Sequence, residues 1–393
     1  MIENHTILCF ASGYDAPPTS KHHIMHLLAE RNTVLWVNYH ASRAPSVSSS
    51  DLAYLVKKLK QVFQGMSKPR KNFNVLTPLV VPLPSSPWAK RLNHLLLVKQ
   101  VRTALGYVHN GPVQVWTFDP DIAYLLGSFG EEKVVYYCVD DHASFTGYDA
   151  GRIRREETRL CQAADLVVTT SSALQQAKCP LNPHTVLVPH GVDYDHFSKA
   201  VTDNLPEPGD LAGIPHPRLG FFGLIRDWVD VGLLAELARR RPDWHVVLLG
   251  DSTVDLTPYR GLPNMHFLGR KPYAVLPAYC RHWDAGLIPF RINELTLAVN
   301  PIKLREYLAA GLPVVSTSLP EVLLYKHWVH LGDTPETFQA ATEAALATPV
   351  DARRQLSQAM LQETWPQKLQ YICENLENAT RAGSRQRRQP HHE

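Results

Sequence analysis

The sequence predicts an α/β fold with two Rossmann-like domains, and three observations lead to that prediction. Short apolar runs alternate with helix-length segments along almost all of the 393 residues. Most of these runs are apolar at every position, which is typical of parallel strands covered by helices on both faces. The alternation is interrupted once, at residues 196–217, by a stretch rich in Pro, Gly and Asp. We therefore expect two domains whose parallel sheets face each other across a cleft, joined by a linker at 196–217.

Two series of strands are predicted, one in each domain. In residues 1–195 the apolar runs are HTILCF, NTVLWVN, FNVLTPLVVPL, VQVWTF, KVVYYCV, DLVVTT and TVLVP. In residues 218–360 they are RLGFFG, WHVVLLG, MHFLG, DAGLIPF and PVVST. A late helix is predicted within residues 361–380, and the polar, basic residues 381–393 predict a disordered tail. Because parallel sheets bind ligands beyond the carboxyl ends of their strands, we expect functional side chains in the loops after these runs.

Composition narrows the class of protein. The net charge of +3 argues against a nucleic-acid binder with a wholly basic surface. The six Cys are scattered without a C-x-x-C spacing, which indicates a reducing cytoplasm rather than a disulfide framework or a structural zinc. No apolar stretch is long enough to span a membrane, and the first residues lack a signal-peptide pattern. We therefore expect a cytoplasmic protein.

The segment NPIKLREYLAAGLPVVST, residues 300–317, predicts a helix followed by a buried strand. Asn300 is expected to cap the helix, Pro301 to occupy its first turn and Gly311 to end it. Lys303 and Glu306 are three residues apart and share one helical face. A helix start attracts anions, so Lys303 is expected to bind a diphosphate and Glu306 the hydroxyls of a sugar. The alternative is an ion pair on the protein surface.

A second anion site is predicted at FFGLIRDWVD. Gly223 follows an apolar strand and allows close approach of the backbone, and Arg226 stands where it can contact a phosphate. The alternative is an ordinary turn glycine. The chain contains neither a G-x-G-x-x-G fingerprint nor a P-loop at this position.

Two adjacent carboxylates, Asp140 and Asp141, follow the strand KVVYYCV. Neighbouring carboxylates repel each other, and burial at a strand end raises a pKa, so one of them is a candidate general base. Both could instead cap the next helix. Asp119-Pro120-Asp121 fits a D-x-D metal pattern, but Asp119 as a helix cap with Pro120 in the first turn explains it, and we expect no metal there. His22 and His26 have the spacing of a zinc pair, yet no third ligand is evident.

The segment SSPWAKRLNHLLLVKQVRTALGYV combines leucines with Lys and Arg. With LVKKLKQVFQGMSKPRK before it, this region has the pattern of an interfacial helix drawn to anionic lipid. The alternative is a helix that packs its leucines on the core and exposes its charges.

Together these motifs resemble the GT-B glycosyltransferases, particularly the family 4-like bacterial enzymes of teichuronic acid and exopolysaccharide synthesis, and more distantly the xanthan glucuronosyltransferase. NPIKLREYLAAGLPVVST is similar to the donor-binding helix of that family. LVVTTSSALQ, LVPHGVDYDHF, FFGLIRDWVD and FLGRKPYAVLPAYCRHWDAGLIPF occur in the family's order and spacing. With the N-terminal PTSKHHIMHLLAERNTVLWV, the resemblance covers nearly the whole chain.

The resemblance implies roles for further residues. GRKPYAVLP would line the nucleotide base, which involves Arg270 and Tyr273, and the late helix would cross back to the first domain. The resemblance to the xanthan enzyme implies a catalytic Asp at the end of a strand, which favours Asp140 as the base and leaves Asp141 as the second choice. His142 is a third candidate, because related enzymes place a His in the cleft. The loop SGYDAPPTSKHH would face the acceptor, and the residues expected to contact it are Gly13, Lys21, His22 and His23.

One departure from the family is evident. Family 4 enzymes commonly carry two glutamates separated by seven residues; Glu306 matches the second, but Ala298 stands at the first. The missing contact would then come from Glu294 or Asn300. In the resembling fold helix dipoles and cations stabilise the leaving diphosphate, so no metal or other cofactor is expected.

The sequence thus predicts a glycosyltransferase that moves a sugar from a UDP- or GDP-sugar to a hydroxyl of a lipid-linked glycan in cell-surface polysaccharide synthesis. It would work in the cytoplasm, with peripheral contact to the inner membrane surface, and would bind no nucleic acid. Two alternative functions are compatible with the same fold: a nucleotide-sugar epimerase or hydrolase, and a nucleotide-sugar-binding scaffold that has lost catalysis.

Overall fold

A computed structural model describes residues 2–39, 65–81 and 86–386. The chain forms two compact units: the first comprises Met1–Pro189 together with Leu369–Glu393, and the second comprises His190–Lys368. The segment 196–217, which we predicted as a linker, thus belongs to the second unit and contains the helix Lys199–Thr202. Within the described residues, none of the helices combines the length and the apolar character that crossing a bilayer requires.

The first unit contains an eight-stranded sheet in the order β3-β4-β2-β1-β5-β6-β7-β8. All neighbours are parallel except β3, which runs antiparallel to β4 at one edge. The chain proceeds from β1 to β2 on one side and returns at β5 on the other, so the topological switch point lies between β1 and β5. The strands are β1 Thr6–Ala11, β2 Thr33–Asn38, β3 Met66–Arg70, β4 Phe73–Leu76, β5 Val113–Thr117, β6 Glu131–Cys138, β7 Leu166–Thr169 and β8 Thr185–Leu187.

Helices connect these strands. Those of the first unit are α1 Ser20–Leu28, α2 Pro87–Val108, α3 Ala150–Ala163 and α4 Ser172–Lys178, with short 3-10 turns at Ala123–Leu125 and His142–Ser144. The strands β1 and β5 are buried at every position, as the uninterrupted apolar runs predict.

The second unit contains a parallel six-stranded sheet in the order β11-β10-β9-β12-β13-β14. Its switch point lies between β9 and β12, which pair through Ala285↔Leu219 and Gly286↔Gly220. The strands are β9 Arg218–Phe222, β10 His245–Leu249, β11 Met265–Gly269, β12 Ala285–Ile288, β13 Val314–Ser316 and β14 Val329–Leu331. The predicted α/β class with two parallel-stranded sheets is confirmed.

Ten helices are described from Tyr194 onward. The short ones are α5 Tyr194–Phe197, α6 Lys199–Thr202, α8 Leu276–Arg281, α9 Glu294–Leu297 and α11 Pro320–Leu323, with 3-10 turns at Thr257–Tyr259 and Tyr273–Val275. The longer ones are α7 Val231–Arg240, α10 Ile302–Ala309, α12 Pro335–Leu346, α13 Val350–Gln358 and α14 Trp365–Gln386. Because α14 passes from the second unit into the first, its residues contribute to both.

Close packing holds α10 against the central strands of the second sheet. A Cβ at Gly286 would lie 2.8 Å from the ring of Tyr307, so only glycine admits this aromatic side chain beside β12. The Tyr307 hydroxyl in turn accepts a 3.1 Å hydrogen bond from the backbone N–H of Phe222 at the end of β9. The position of α10 relative to the carboxyl end of β9 is therefore determined by buried contacts.

Four details differ from the predictions. The edge strands β3 and β14 were not predicted, and FNVLTPLVVPL contributes only the four residues of β4 to the sheet. Asp119 caps no helix, because only the 3-10 turn Ala123–Leu125 follows it and Ile122 precedes that turn. Residues 381–386 of the predicted tail are helical, and 387–393 lie outside the described residues. Most of LVKKLKQVFQGMSKPRK also lies outside them.

Candidate active site

Glycines stand at the carboxyl ends of three neighbouring strands in the second unit. Gly223, Gly250 and Gly269 follow or end β9, β10 and β11, and all three have positive φ angles. A Cβ at Gly250 would lie 1.9 Å from the carbonyl oxygen of Gly223, so no other residue fits there. At this edge of the sheet the three glycines therefore present backbone atoms without side chains, a surface that we call the bare-backbone floor. The sequence analysis identified only Gly223, although a glycine after each of the runs WHVVLL and MHFL gave the same signal.

The Lys303 side chain extends from the first turn of α10 across this floor. A Cβ placed on Gly223 would lie 2.4 Å from Cε and 2.7 Å from Nζ of Lys303. The ammonium lies 5.4 Å from the ring of Phe221 and 5.7 Å from that of Phe290. The two predicted anion-binding elements, the glycine loop and the helix start, thus meet at one point, and glycine at 223 leaves the space that Lys303 occupies.

Asn300 does not cap α10, contrary to our expectation. Pro301 occupies the N-cap position, and the Asn300 side chain points into the protein, where it is 1% exposed. Its amide donates to Glu321 Oε2 at 2.8 Å, and its Oδ1 accepts from Arg305 at 2.7 Å. Asn300 thus anchors the loop before the helix through buried polar contacts. Gly311 follows the helix end with φ +69°, as predicted.

Glu306 lies one turn deeper in α10 and is 5% exposed. Burial raises the pKa of its carboxyl to about 7; the Lys303 ammonium opposes this shift and the Asp193 carboxylate adds to it. A surface ion pair is therefore the wrong description of Lys303 and Glu306. The arrangement instead places a carboxyl that titrates near neutrality behind a lysine at a bare-backbone floor.

Arg226 lies half-buried in the loop after Gly223. Its guanidinium carbon is 5.4 Å from the ring of Trp228, and its Nε is buried without a hydrogen-bond partner among the described residues. The loop is held by backbone hydrogen bonds from Ile225 to Asp251 and from Asp230 to Pro289. A buried donor without a partner is costly, which keeps Arg226 a candidate for anion binding.

Tyr273 and Arg270 follow β11. The Tyr273 ring stacks on His196 with the ring centroids 4.5 Å apart, and it contacts Phe197 at 5.7 Å. Burial raises the pKa of the Tyr273 hydroxyl, and the nearby Glu306 and Asp193 add to the shift. Arg270 is exposed directly after Gly269. Tyr273 therefore lies near Glu306, whereas no contact among the described residues links the exposed Arg270 to the candidate site.

In the first unit, Lys21 stands at the start of α1, beside the carboxyl end of β1. Its ammonium donates to the Ser12 carbonyl oxygen at 2.5 Å. Burial lowers the pKa of Lys21, while Asp119 and Asp140, which follow β5 and β6, oppose that shift. Because β1, β5 and β6 are adjacent, these three ionisable side chains lie near the topological switch point of the first sheet, where ligands of such sheets bind.

Asp119 is the residue that the sequence analysis missed, because it was interpreted as a helix cap. Its Oδ2 is buried without a hydrogen-bond partner among the described residues. Burial raises its pKa to about 8; Lys21 opposes this shift and Asp121 adds to it. Asp121, in contrast, pairs with Arg152 at 2.9 Å. Across the described residues, no group of three or more metal-ligating side chains is present.

The remaining catalytic candidates lie in the loop after β6. Asp141 caps the 3-10 turn, since its carboxylate accepts from Ala143 N at 3.2 Å and from Ser144 Oγ at 2.6 Å. His142 is hydrogen-bonded through Nδ1 to the Asp140 carbonyl oxygen at 3.2 Å, and burial lowers its pKa. The capping alternative therefore holds for Asp141, and the Asp140 carboxylate is the one that interacts with Lys21.

The expected acceptor residues have different environments. Gly13 has φ +66° in the loop after β1, and Lys21 and His23 are half-buried. His22 is 3% exposed: its Nδ1 accepts from Thr19 N at 3.2 Å, and its Nε2 donates to the Tyr14 carbonyl oxygen at 3.1 Å. Burial lowers its pKa to about 4. His22 thus caps α1 as a neutral ring, which accounts for it without zinc.

Comparisons with known proteins show what this chain is similar to. Residues 216–348 match the family model described as Glycosyl transferases group 1. Over 252 residues the chain is 31% identical to TuaH of Bacillus subtilis (strain 168), which carries the name of a teichuronic acid biosynthesis glycosyltransferase. That match covers 59% of this chain and 63% of TuaH, so it spans about three fifths of the relative's length.

Solved structures share the fold over nearly the whole chain. Sucrose-phosphate synthase of Thermosynechococcus elongatus superposes with a TM-score of 0.67 and 14% identity, covering 96% of this chain and all of that one. HepE of Anabaena, solved with UDP and glucose, has a TM-score of 0.63 and 16% identity, covering 95% and 99%. The chain therefore has the GT-B fold, and the predicted resemblance to GT-B glycosyltransferases, with a relative named for teichuronic acid synthesis, is confirmed.

Proposed function

We propose that this chain, whose residues 216–348 form a group 1 glycosyl transferase domain, transfers a sugar from a nucleotide diphosphate sugar to a hydroxyl of a lipid-linked glycan in cell-surface polysaccharide synthesis. The observation that carries the proposal is the meeting of Lys303 with Gly223 over the bare-backbone floor, with Glu306 buried behind them. A UDP-sugar is favoured over a GDP-sugar because HepE, which shares the fold, is solved with UDP and with UDP-glucose.

The second unit would hold the donor. Lys303 and the guanidinium of the half-buried Arg226 would neutralise the diphosphate, and backbone approach at Gly223 would bring its oxygens close. Glu306 would accept hydrogen bonds from hydroxyls of the transferred sugar. In the reaction the acceptor oxygen bonds to the anomeric carbon, and the bond from that carbon to the diphosphate breaks. Lys303 and Arg226 would stabilise the negative charge that develops on the leaving nucleoside diphosphate, so we propose a reaction without metal.

The first unit would hold the acceptor. The proton of the attacking hydroxyl would pass to a carboxylate at the switch point of the first sheet. Asp140 remains our first candidate, and the structure adds Asp119, whose Oδ2 is buried without a partner among the described residues. Asp141 is engaged as a cap, so its carboxylate is the least suited of the three.

Calorimetry with UDP tests the donor site. We expect Lys303→Ala to weaken UDP binding tenfold to about a hundredfold, because it removes a charge-assisted contact worth roughly 1.5–3 kcal/mol. Lys326→Ala, an exposed lysine in the same unit, is the matched control and should bind as the wild type does. Wild-type affinity in Lys303→Ala, or no binding of UDP or GDP by the wild type, would contradict the proposal.

Turnover of UDP-glucose, with a lipid extract of the source cells as acceptor, tests the base. Asp140→Asn and Asp119→Asn should bind UDP normally, and the variant that removes the base should lower turnover at least a hundredfold. Asp141→Asn, which retains a capping side chain, is the control and should stay within a fewfold of the wild type. Near-normal turnover in both Asp140→Asn and Asp119→Asn would eliminate these assignments. Release of free glucose without acceptor would instead favour a hydrolase.

A further inference from the structure

Helix α2, Pro87–Val108, has an unusual charge pattern. Its 22 residues contain four basic side chains, Lys90, Arg91, Lys99 and Arg102, and no Asp or Glu. One side of the helix is packed into the first unit through buried side chains, which are Ala89, Asn93, Leu97, Val101, Ala104 and Leu105. The alternative proposed from the sequence, a helix that packs leucines on the core, therefore describes this side.

The opposite side exposes large apolar groups. Trp88 is 59% exposed, Leu92 39% and Leu95 67%. The spacings of four and three residues align them on one face of the helix, and Arg91, Lys99 and Arg102 fall on the same face and are exposed. We name these six residues the α2 outer face. Lys90 does not belong to it, because its ammonium pairs with Glu156 at 2.7 Å.

We propose that the α2 outer face docks on a membrane surface that contains anionic lipid. Exposed apolar residues that occur singly need no partner, but three on one helical face form a patch that does. Apolar side chains accompanied by cations, on a helix without acidic residues, fit the boundary of a bilayer, where the apolar groups enter the acyl region and the cations meet lipid phosphates.

The charges argue against the other occupants of such a face. A symmetric dimer through α2 would place the cations of one copy near those of the other, with no acid on either helix to compensate. The α2 outer face belongs to the first unit, whereas the residues proposed to bind the donor belong to the second. The evidence for membrane docking is therefore independent of the evidence for the donor site. Membrane docking could fail while the transferase proposal holds, and the converse is equally true.

Sedimentation of the full chain with vesicles tests the inference. We expect binding to vesicles of phosphatidylcholine with phosphatidylglycerol, weaker binding in high salt, and little binding to phosphatidylcholine alone. Leu95→Glu should lower the affinity at least tenfold, since it places an anion within the apolar patch. Lys99→Gln should lower it about fivefold, the effect of one cation near an anionic surface.

The control is Leu324→Glu, which changes a 66% exposed leucine in the second unit and should bind vesicles as the wild type does. UDP affinity should be unchanged in Leu95→Glu, which shows that the variant is folded and separates this test from that of the donor site. Equal binding of Leu95→Glu and the wild type to the anionic vesicles would overturn the inference. So would a wild-type dimer in light scattering that Leu95→Glu dissociates without any vesicle binding.

Discussion

Lys303 and Glu306 show how burial changes the meaning of a pair of charges. On an exposed helix a lysine and a glutamate three residues apart contribute only tenths of a kcal/mol. Here Glu306 is 5% exposed, and the Lys303 ammonium lies against Gly223. A buried carboxyl is stable only when it is neutral, paired or bound to a ligand. The buried Glu306 carboxyl therefore needs a hydrogen-bond partner when it is ionised, and the hydroxyl of the proposed sugar would be one.

The pKa of Glu306, raised to about 7, should make the proposed recognition of the sugar depend on pH. As the pH rises from 6 to 8 the carboxyl ionises, and the ionised form accepts hydroxyl hydrogen bonds more strongly. The affinity for UDP-glucose relative to that for UDP should therefore increase over this range. Glu306→Gln should remove the increase and leave UDP binding within a fewfold of the wild type. Calorimetry at both pH values measures it, and an unchanged slope in Glu306→Gln would refute the role.

At the scale of the element, α1 begins with a histidine used as a cap. Thr19 precedes the helix, and the His22 ring accepts the Thr19 N–H in the place that Glu or Gln takes in a capping box. Tyr14 and Trp36 pack against the same ring, at centroid distances of 6.1 and 5.0 Å. The ring is therefore required as a neutral acceptor, and protonation would remove the contact that starts the helix.

Acid should therefore destabilise the protein through His22. Its pKa is about 4 in the folded chain and about 6.5 when unfolded, so the unfolded chain binds more protons between these values. The contribution of neutral His22 to the free energy of unfolding is fully present above pH 6.5 and is lost as the pH falls. The loss is about 2 kcal/mol between pH 7 and pH 5. His22→Gln keeps the cap but does not titrate, and should lose that part of the pH dependence in urea unfolding.

His109→Gln is the control, because His109 is exposed and outside this cluster. It should keep the full slope of stability against pH. His26, whose pKa burial also lowers to about 4, should maintain a residual slope in His22→Gln. A slope in His22→Gln equal to that of the wild type would show that the cap is not titrating.

At the scale of the whole molecule, the chain enters the second unit after Pro189 and leaves it after Lys368. The two passages lie side by side within that unit, because Val192 N donates to the Glu363 carbonyl oxygen at 2.8 Å and Trp365 packs on Gly191. Arg305, 1% exposed, connects them to the loop before α10 by contacting Glu363 at 3.3 Å and Asn300 at 2.7 Å. The same arginine thus holds the loop before α10 and the segment where the chain departs.

Arg305→Met should therefore act at both places. Removing one partner of a buried charge network typically costs about 3–5 kcal/mol, since the remaining groups lose their partners. Thermal unfolding should show that loss, and hydrogen exchange at the amide of Val192 should accelerate. Arg354→Met, which changes an exposed arginine of α13, should alter neither. If hydrogen exchange at the Val192 amide is unchanged in Arg305→Met, Arg305 does not stabilise the segments where the chain enters and leaves the second unit.

Local patterns in the sequence were sufficient for the class of fold, the strands of both sheet centres and the choice of Gly223 and Lys303 as candidates for anion binding, but not for the contact between them. Apolar runs, capping residues and glycines act on their nearest neighbours, so a linear sequence displays them directly. The edge strands β3 and β14 were missed, because β3 is exposed at every residue and β14 has only three residues.

Only the tertiary structure distinguished among polar residues of the same type. Asn300 became a buried anchor instead of a cap, Asp141 a cap, and Asp119 a buried carboxyl with an unpaired oxygen among the described residues. The physical reason is that desolvation and partners determine what a carboxylate or amide does, and both depend on residues distant in the chain. Lys21 meets Asp119 across 98 positions of sequence because β1 and β5 are neighbours in the sheet.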